Sequence, residues 1–155
     1  MASTGRANRA PLSKALSVST MKEWIEIDRP LDVEADIPLK DQAPKEVRDE
    51  YDRSSKNKFI AWVSNDTNLI GCIKNNRSIS AEFDSAEAVE LYEMEPAKGS
   101  GYVGLDIKSK NGECLAVIAS SRYSQKSLQW LKQVQPILAK VFQLKETYEH
   151  HGKDA

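Results

Sequence analysis

Histidine is the commonest general acid–base and metal-ligating side chain, and the 155-residue chain holds two, adjacent at His150 and His151. Their surroundings are polar, so both are expected in a solvated tail. A Ser-His-Asp or Cys-His arrangement needs a histidine held in a packed site, and neither is expected here. Cys72 and Cys114 supply two of the four ligands a structural zinc needs, without CxxC spacing. Each lies in an apolar, strand-like context where a buried free thiol is the expectation, and two cysteines make no disulfide framework. Gly99, Gly101 and Gly104 precede a strand instead of opening a helix, which excludes a dinucleotide loop. The acids Glu82, Asp84, Glu87, Glu90, Glu93 and Glu95 lack calcium-loop spacing and read as a solvated surface. No catalytic group, metal or cofactor is expected.

What remains is aromatic. Trp62, Tyr92 and Tyr102 have apolar or acidic neighbours, not the interleaved basic residues of a single-stranded nucleic-acid binder. Trp62 is expected in the core. Tyr92 and Tyr102 are candidates to line a ligand pocket, and Asp106 shares a strand face with Tyr102, because side chains alternate along a strand. These three residues are the ligand-binding candidates.

The elements that must position them begin at Lys58. Phe59 to Val63 is apolar throughout, the mark of a strand covered on both faces, and Asn65-Asp66 supplies turn chemistry before its partner, Leu69 to Ile73. Ser78 to Phe83 alternates as a half-buried strand. Ala88 to Met94 alternates less cleanly, and a short helix from Ser85 to Tyr92, capped by Ser85, is the alternative. Tyr102 to Ile107 is a strand that turns at Asn111-Gly112, the strongest short hairpin signal, and returns as the apolar strand Cys114 to Ala119. A long helix starts at Ser124. Leu128, Leu131, Val134, Leu138, Val141 and Phe142 recur at three and four residues, and Trp130, Ile137 and Leu144 widen the stripe beyond what one sheet should need. Those last three are the partner-interface candidates, to be covered by the N-terminal segment or by a second chain. Pro136 falls on the polar side, where a kink is expected.

The expected fold is therefore α+β: an antiparallel sheet of five or six strands with the long C-terminal helix packed on it, a GAF-, PAS- or profilin-like architecture. The core spans residues 58–146. Residues 1–20 carry Arg6, Arg9 and Lys14 with no acid and read as a disordered or loosely helical tail, organelle import being the minor alternative. Residues 21–57 hold 11 acids against 7 bases and several prolines, and read as connection, with a β-prone stretch at Trp24 to Ile27 and a helical turn or two at Pro44 to Tyr51. Residues 147–155 read as a flexible tail.

Composition is ordinary for one globular domain, with 40% hydrophobic and 29% charged residues. The formal net charge of -1 recruits the chain neither to nucleic acid nor to anionic lipid. No apolar run approaches the roughly 18 residues of a membrane-spanning helix, so a soluble, cytoplasmic protein is expected.

Gly101-Tyr102-Val103-Gly104-Leu105-Asp106-Ile107, the hairpin strand Lys110 to Ile118 and the helix Leu128 to Leu144 together resemble the last third of a GAF domain. The resemblance covers residues 101–144, with profilin-like and roadblock-like scaffolds as alternatives. It implies a single antiparallel sheet acting as a sensory or partner-binding module, with any ligand held between the sheet and the segment Ser78 to Gly101, against Tyr102 and Asp106.

Three functions are weighed. The first is a non-enzymatic intracellular regulatory or adaptor module that contacts another protein chain, or a second copy of itself, through Trp130, Ile137 and Leu144. The second is a GAF-like small-molecule sensor, recognisable by a cavity lined by Tyr92, Tyr102 and Asp106. The third is a small enzyme using carboxylate and Tyr groups, which requires a carboxylate buried in a cleft with a raised pKa.

Overall fold

The computed structural model describes residues 20–26, 43–54, 58–74 and 77–153. Residues 1–19 of the tail expected over 1–20, and residues 27–42 of the acidic connection, lie outside the described residues. In chain order the elements are β1 (Thr20–Glu26), α1 (Lys45–Asp52), β2 (Lys58–Ser64), β3 (Leu69–Lys74), β4 (Arg77–Glu82), β5 (Ala86–Glu95), β6 (Tyr102–Ser109), β7 (Cys114–Arg122), α2 (Gln125–Phe142) and β8 (Lys145–Lys153).

The strands form two four-stranded sheets, ordered β1-β2-β3-β4 and β7-β6-β5-β8, in place of the single sheet of five or six expected. The break falls at a 3-10 turn, Phe83–Ser85, which separates β4 from β5. All neighbours are antiparallel except β5 and β8, which run parallel. The short helix considered from Ser85 is instead the ten-residue strand β5.

The apolar run in β2 is explained by its two partners. Phe59, Ala61 and Val63 join the main core with Ile25, Ile70, Cys72 and Ile79. Ile60 and Trp62 point the other way, toward Ile73 and α1, whose Val47 is fully buried. Tyr51 of α1 stacks on Trp24 of β1 at 6.3 Å between ring centroids, and the Trp24 indole donates to Glu50. The first sheet is thus covered on both faces.

The second sheet turns Val89, Leu91, Val103, Leu105, Ile107 and Ile118 toward the same core. Between the sheets lies α2. Ser124 caps it, its hydroxyl accepting from the Ser127 amide at 3.0 Å, and the helix ends on Gln143 in a left-handed conformation, φ 58°. The helix touches β1 and β2 on one side and β5, β6 and β8 on the other. That position accounts for the width of its apolar stripe. Trp130, at 8% exposure, packs against Phe59 of the first sheet with ring centroids 6.3 Å apart, and Leu144 is equally buried. Of the three candidate interface residues only Ile137, at 39%, is exposed. Pro136 sits inside the helix on its exposed side.

Two buried polar groups tie the layers together. Lys74 of β3, almost fully buried, donates its ammonium to the Ile118 carbonyl of β7, and burial lowers that ammonium to about 8. Gln135 of α2 donates to the carbonyls of Val89 at 2.9 Å and Thr147 at 2.8 Å, fastening β8 beside β5. The flexible tail expected from residue 147 is therefore strand through Lys153. An edge strand has one neighbour and leaves most of its side chains in water, so its polar composition hides it. One of the two cysteines also differs from expectation. Cys72 is buried, but Cys114 is exposed, because it starts β7 directly after the hairpin turn. Among the described residues no helix is long and apolar enough to cross a membrane.

Candidate functional site

Side chains that alternate away from α2 on β5, β6 and β7 face outward, and on this face of the second sheet lies a cleft of about 520 Å³. Its wall takes Glu90 and Tyr92 from β5, Tyr102, Asp106 and Lys108 from β6, Val117, Ser120, Ser121 and Arg122 from β7, and His151 from β8, with Gly101 at one end. Register brings them together. Glu90 lies opposite Asp106, Tyr92 opposite Gly104, and Tyr102 opposite Arg122. A bulge in β7 sets Leu105 against Ala119 but Asp106 against Val117, so Ile118 is the extra residue and stays in the core.

Three rings form one end of the site. Tyr92 stacks on His151 at 5.4 Å with 11° between planes, and Tyr102 meets both edge-on, at 5.8 and 5.7 Å. The Tyr102 hydroxyl lies 2.7 Å from Nδ1 of His151. Glycine makes the arrangement possible at Gly104, where a Cβ would stand 2.2 Å from the Tyr92 hydroxyl. Gly101, with φ +67°, turns the chain into β6 in a conformation other residues rarely adopt.

Carboxylates form the other end. Asp106 is only 8% exposed, and its Oδ1 is buried without a hydrogen-bond partner. Burial is the main reason its carboxyl is pushed up to about 6. Hydrogen bonding from the Cys114 thiol, the Lys108 charge and hydrogen bonding from Tyr92 pull it down, and the Glu90 charge pushes it further up. Lys108 Nζ stands 3.6 Å from Glu90 and 4.0 Å from Asp106, closer to ion pairing than to hydrogen bonding, and Glu90 also accepts from the Thr147 hydroxyl at 3.2 Å. Desolvation and the Asp106 charge push Cys114 up to about 11, so near neutral pH it is a protonated donor and not a nucleophile.

Glu93, Glu95 and His150 form a separate group whose ligand atoms lie within 4.8 Å of one another. Nδ1 of His150 accepts from the Gly152 amide at 2.9 Å, which places the ring proton on Nε2, 2.6 Å from Glu95. A metal at Nε2 would need the opposite tautomer, with Nδ1–H facing a second N–H. Glu93 is buried and accepts from the Tyr148 hydroxyl at 2.7 Å, so the acidic stretch is not wholly the solvated surface expected. The group works as a hydrogen-bonded fastening of β8.

Tyr92, Tyr102 and Asp106, singled out from the sequence, line one cleft. Trp130, Ile137 and Leu144 do not, and Trp62 is in the core. Glu90, Lys108, Arg122 and His151 were not singled out for this site. For Glu90 and Lys108 the sequence carries a signal, since Glu90 shares strand parity with Tyr92, and Lys108 with Tyr102 and Asp106.

A family model described as the PM0294 C-terminal domain matches residues 13–149. The match runs from ahead of β1 into β8 and so takes in both sheets. No curated protein and no solved structure matches the chain.

Proposed function

The chain belongs to the PM0294 C-terminal domain family, and from the cleft it carries we propose that it is a small-molecule-binding domain. One observation carries the reading: Tyr92, Tyr102 and Asp106 converge on a single cleft on the outer face of the second sheet. Its volume of about 520 Å³ falls in the range of small-ligand sites, and its mixture of ring surface with a few convergent polar groups is what such sites use to hold and orient a ligand. Among the described residues the lining comes from strands, apart from Gly101, so the proposal draws nothing from the GAF resemblance. Protein contact through α2 has lost most of its support, because Trp130 and Leu144 pack inside this same chain.

The test is a fragment screen on the ¹⁵N-labelled chain. Binders are expected to shift the amides of Tyr92, Gly104, Ser120 and Arg122 together. A chemically diverse library that moves none of them refutes the proposal.

A second reading, acid–base chemistry on the bound molecule, is favoured by Asp106: a carboxyl held at about 6 beside Tyr92 in a cleft meets the requirement for a proton acceptor near neutral pH. A ¹³C carboxyl titration giving an ordinary aspartate value near 4 removes it.

A further inference from the structure

We propose that the cleft selects a small organic cation, a protonated amine whose N–H groups are received by Asp106 and Glu90 and whose body lies against the Tyr92 and Tyr102 rings. The inference rests on the small-molecule reading of the same cleft and adds the class of ligand.

Three observations carry it. First, the two carboxylates face each other directly across β5 and β6. The cation beside them, Lys108, stands at 3.6 and 4.0 Å, where it offsets charge without occupying the acceptors by hydrogen bonds. Second, the remaining groups around Asp106 do not supply a positive charge. Glu90 on β5 is an anion, and Tyr92 on β5 and Cys114 on β7 are neutral donors. One ammonium against two carboxylates leaves this end negative. An ammonium ligand would complete it with charge-assisted hydrogen bonds, which are roughly twice as strong as neutral ones. Third, the adjoining wall is the ring cluster of Tyr92, Tyr102 and His151, with centroids 5.4 to 5.8 Å apart. Tyrosine faces attract cations within about 6 Å.

An anionic ligand is disfavoured by the same geometry. Arg122, the cation toward which it would turn, pairs in register with Tyr102, four residues of strand from Asp106, or roughly 14 Å at about 3.4 Å per residue. An anion there leaves the carboxylate end unmet.

The experiment compares three probes of similar shape on the ¹⁵N-labelled full chain at pH 7.5: phenethylamine, 2-phenylethanol and 3-phenylpropionate, followed by the amide shifts of β5, β6 and β7. Phenethylamine is expected to bind about tenfold more tightly than the alcohol, the worth of one charge-assisted bond, and the propionate more weakly than either. Asp106→Asn and, independently, Glu90→Gln should weaken the amine more than the alcohol and so shrink the amine's advantage, read as the ratio of the two affinities. Amine affinity should also fall as pH is lowered through about 6, where Asp106 takes up its proton. An amine no tighter than the alcohol, or a propionate that binds best, overturns the amine class while leaving a small-molecule cleft in place. If none of the three moves the cleft amides, the amine class is likewise refuted, and the wider fragment screen decides separately whether the cleft binds anything.

Discussion

Substituting Gly104 by alanine tests the packing on which the cleft depends. A Cβ at this position would stand 2.2 Å from the Tyr92 hydroxyl oxygen, 2.4 Å from the ring carbon that bears it, and 2.8 Å from the Ala119 carbonyl oxygen. Real Cβ contacts are essentially never below 3.0 Å, so the ring must move. In moving it loses its stack on His151 and its edge contact with Tyr102. Inserting a methyl into a packed site typically costs about 1–3 kcal/mol. Loss of glycine's freedom in the unfolded chain returns about 0.4–1 kcal/mol. The net expectation is a loss of about 1–2 kcal/mol, which for a chain of this size lowers Tm by roughly 2–8 °C.

The decisive comparison is a double-mutant cycle by urea denaturation. In a Tyr92→Ala background both ring contacts are gone, while the backbone carbonyl of Ala119 stays at 2.8 Å, still too close for a Cβ without a backbone adjustment. Gly104→Ala should then remain destabilising but cost about 1 kcal/mol less than in the wild type, which is the coupling between the two positions. The same cost in both backgrounds would refute the reasoning, because it would show that the ring does not occupy the space the glycine leaves. An unchanged Gly104→Ala single variant would refute it as well.

Asp106→Asn should change stability in a pH-dependent way. The folded value of about 6 lies above the ordinary 3.8, so the ionised carboxylate weakens the fold. Its favourable contribution is full below about 3.8 and is lost as pH rises through 6. At face value the difference is roughly 3 kcal/mol, and screening by water in the cleft reduces it to about 1–2 kcal/mol. The variant should exceed the wild type by that amount at pH 7.5 and match it near pH 4, and an equal difference at both pH values counts against a raised Asp106. Lys74 has the opposite sign. Its folded value of about 8 lies below the ordinary 10.5, so wild-type stability should rise between those values and Lys74→Met should lack that rise, read from denaturation midpoints at pH 7.5 and 10. Gln135→Leu removes the bonds to Val89 and Thr147 and leaves two carbonyls short of a donor, at about 2 kcal/mol or more. Hydrogen exchange should accelerate in β8 before it does in β6, and uniform acceleration would show that Gln135 does not fasten that strand.

The elements legible in the sequence are those whose signal is local. Ser124 and the three-and-four spacing of Leu128 to Phe142 mark a helix whatever it packs on, and Asn111-Gly112 marks the β6–β7 hairpin because few residues accept that turn, Gly112 having φ +82°. The elements that were not legible depend on distant partners. The residues of β8, Lys-Glu-Thr-Tyr-Glu-His-His-Gly-Lys, bury little, and they are strand because Gln135 and the edge of β5 are there to receive them. The division into two sheets rests on a three-residue turn, Phe83–Ser85, between stretches that alternate alike.

The apolar width of α2 and the position of the cleft are two consequences of one arrangement. The stripe was wide enough for two surfaces, and the second surface is the first sheet of the same chain, with Phe59 against Trp130. Because α2 takes the inner faces of both sheets and α1 takes the outer face of the first, the outer face of the second sheet is where polar and aromatic side chains can gather. Strand parity already sorted Tyr102, Gly104 and Asp106 onto one side, and Glu90 and Tyr92 onto one side of their own strand. It could not tell that the two sides coincide, since a shift of one residue in register would have turned Tyr92 away from Gly104. The pairing of Glu90 with Asp106 is therefore a property of register, and it adds a smaller contribution to a proton affinity that burial chiefly raises. His151 reaches the same face only because β8 runs parallel to β5 with a further shift between Glu93 and Glu95.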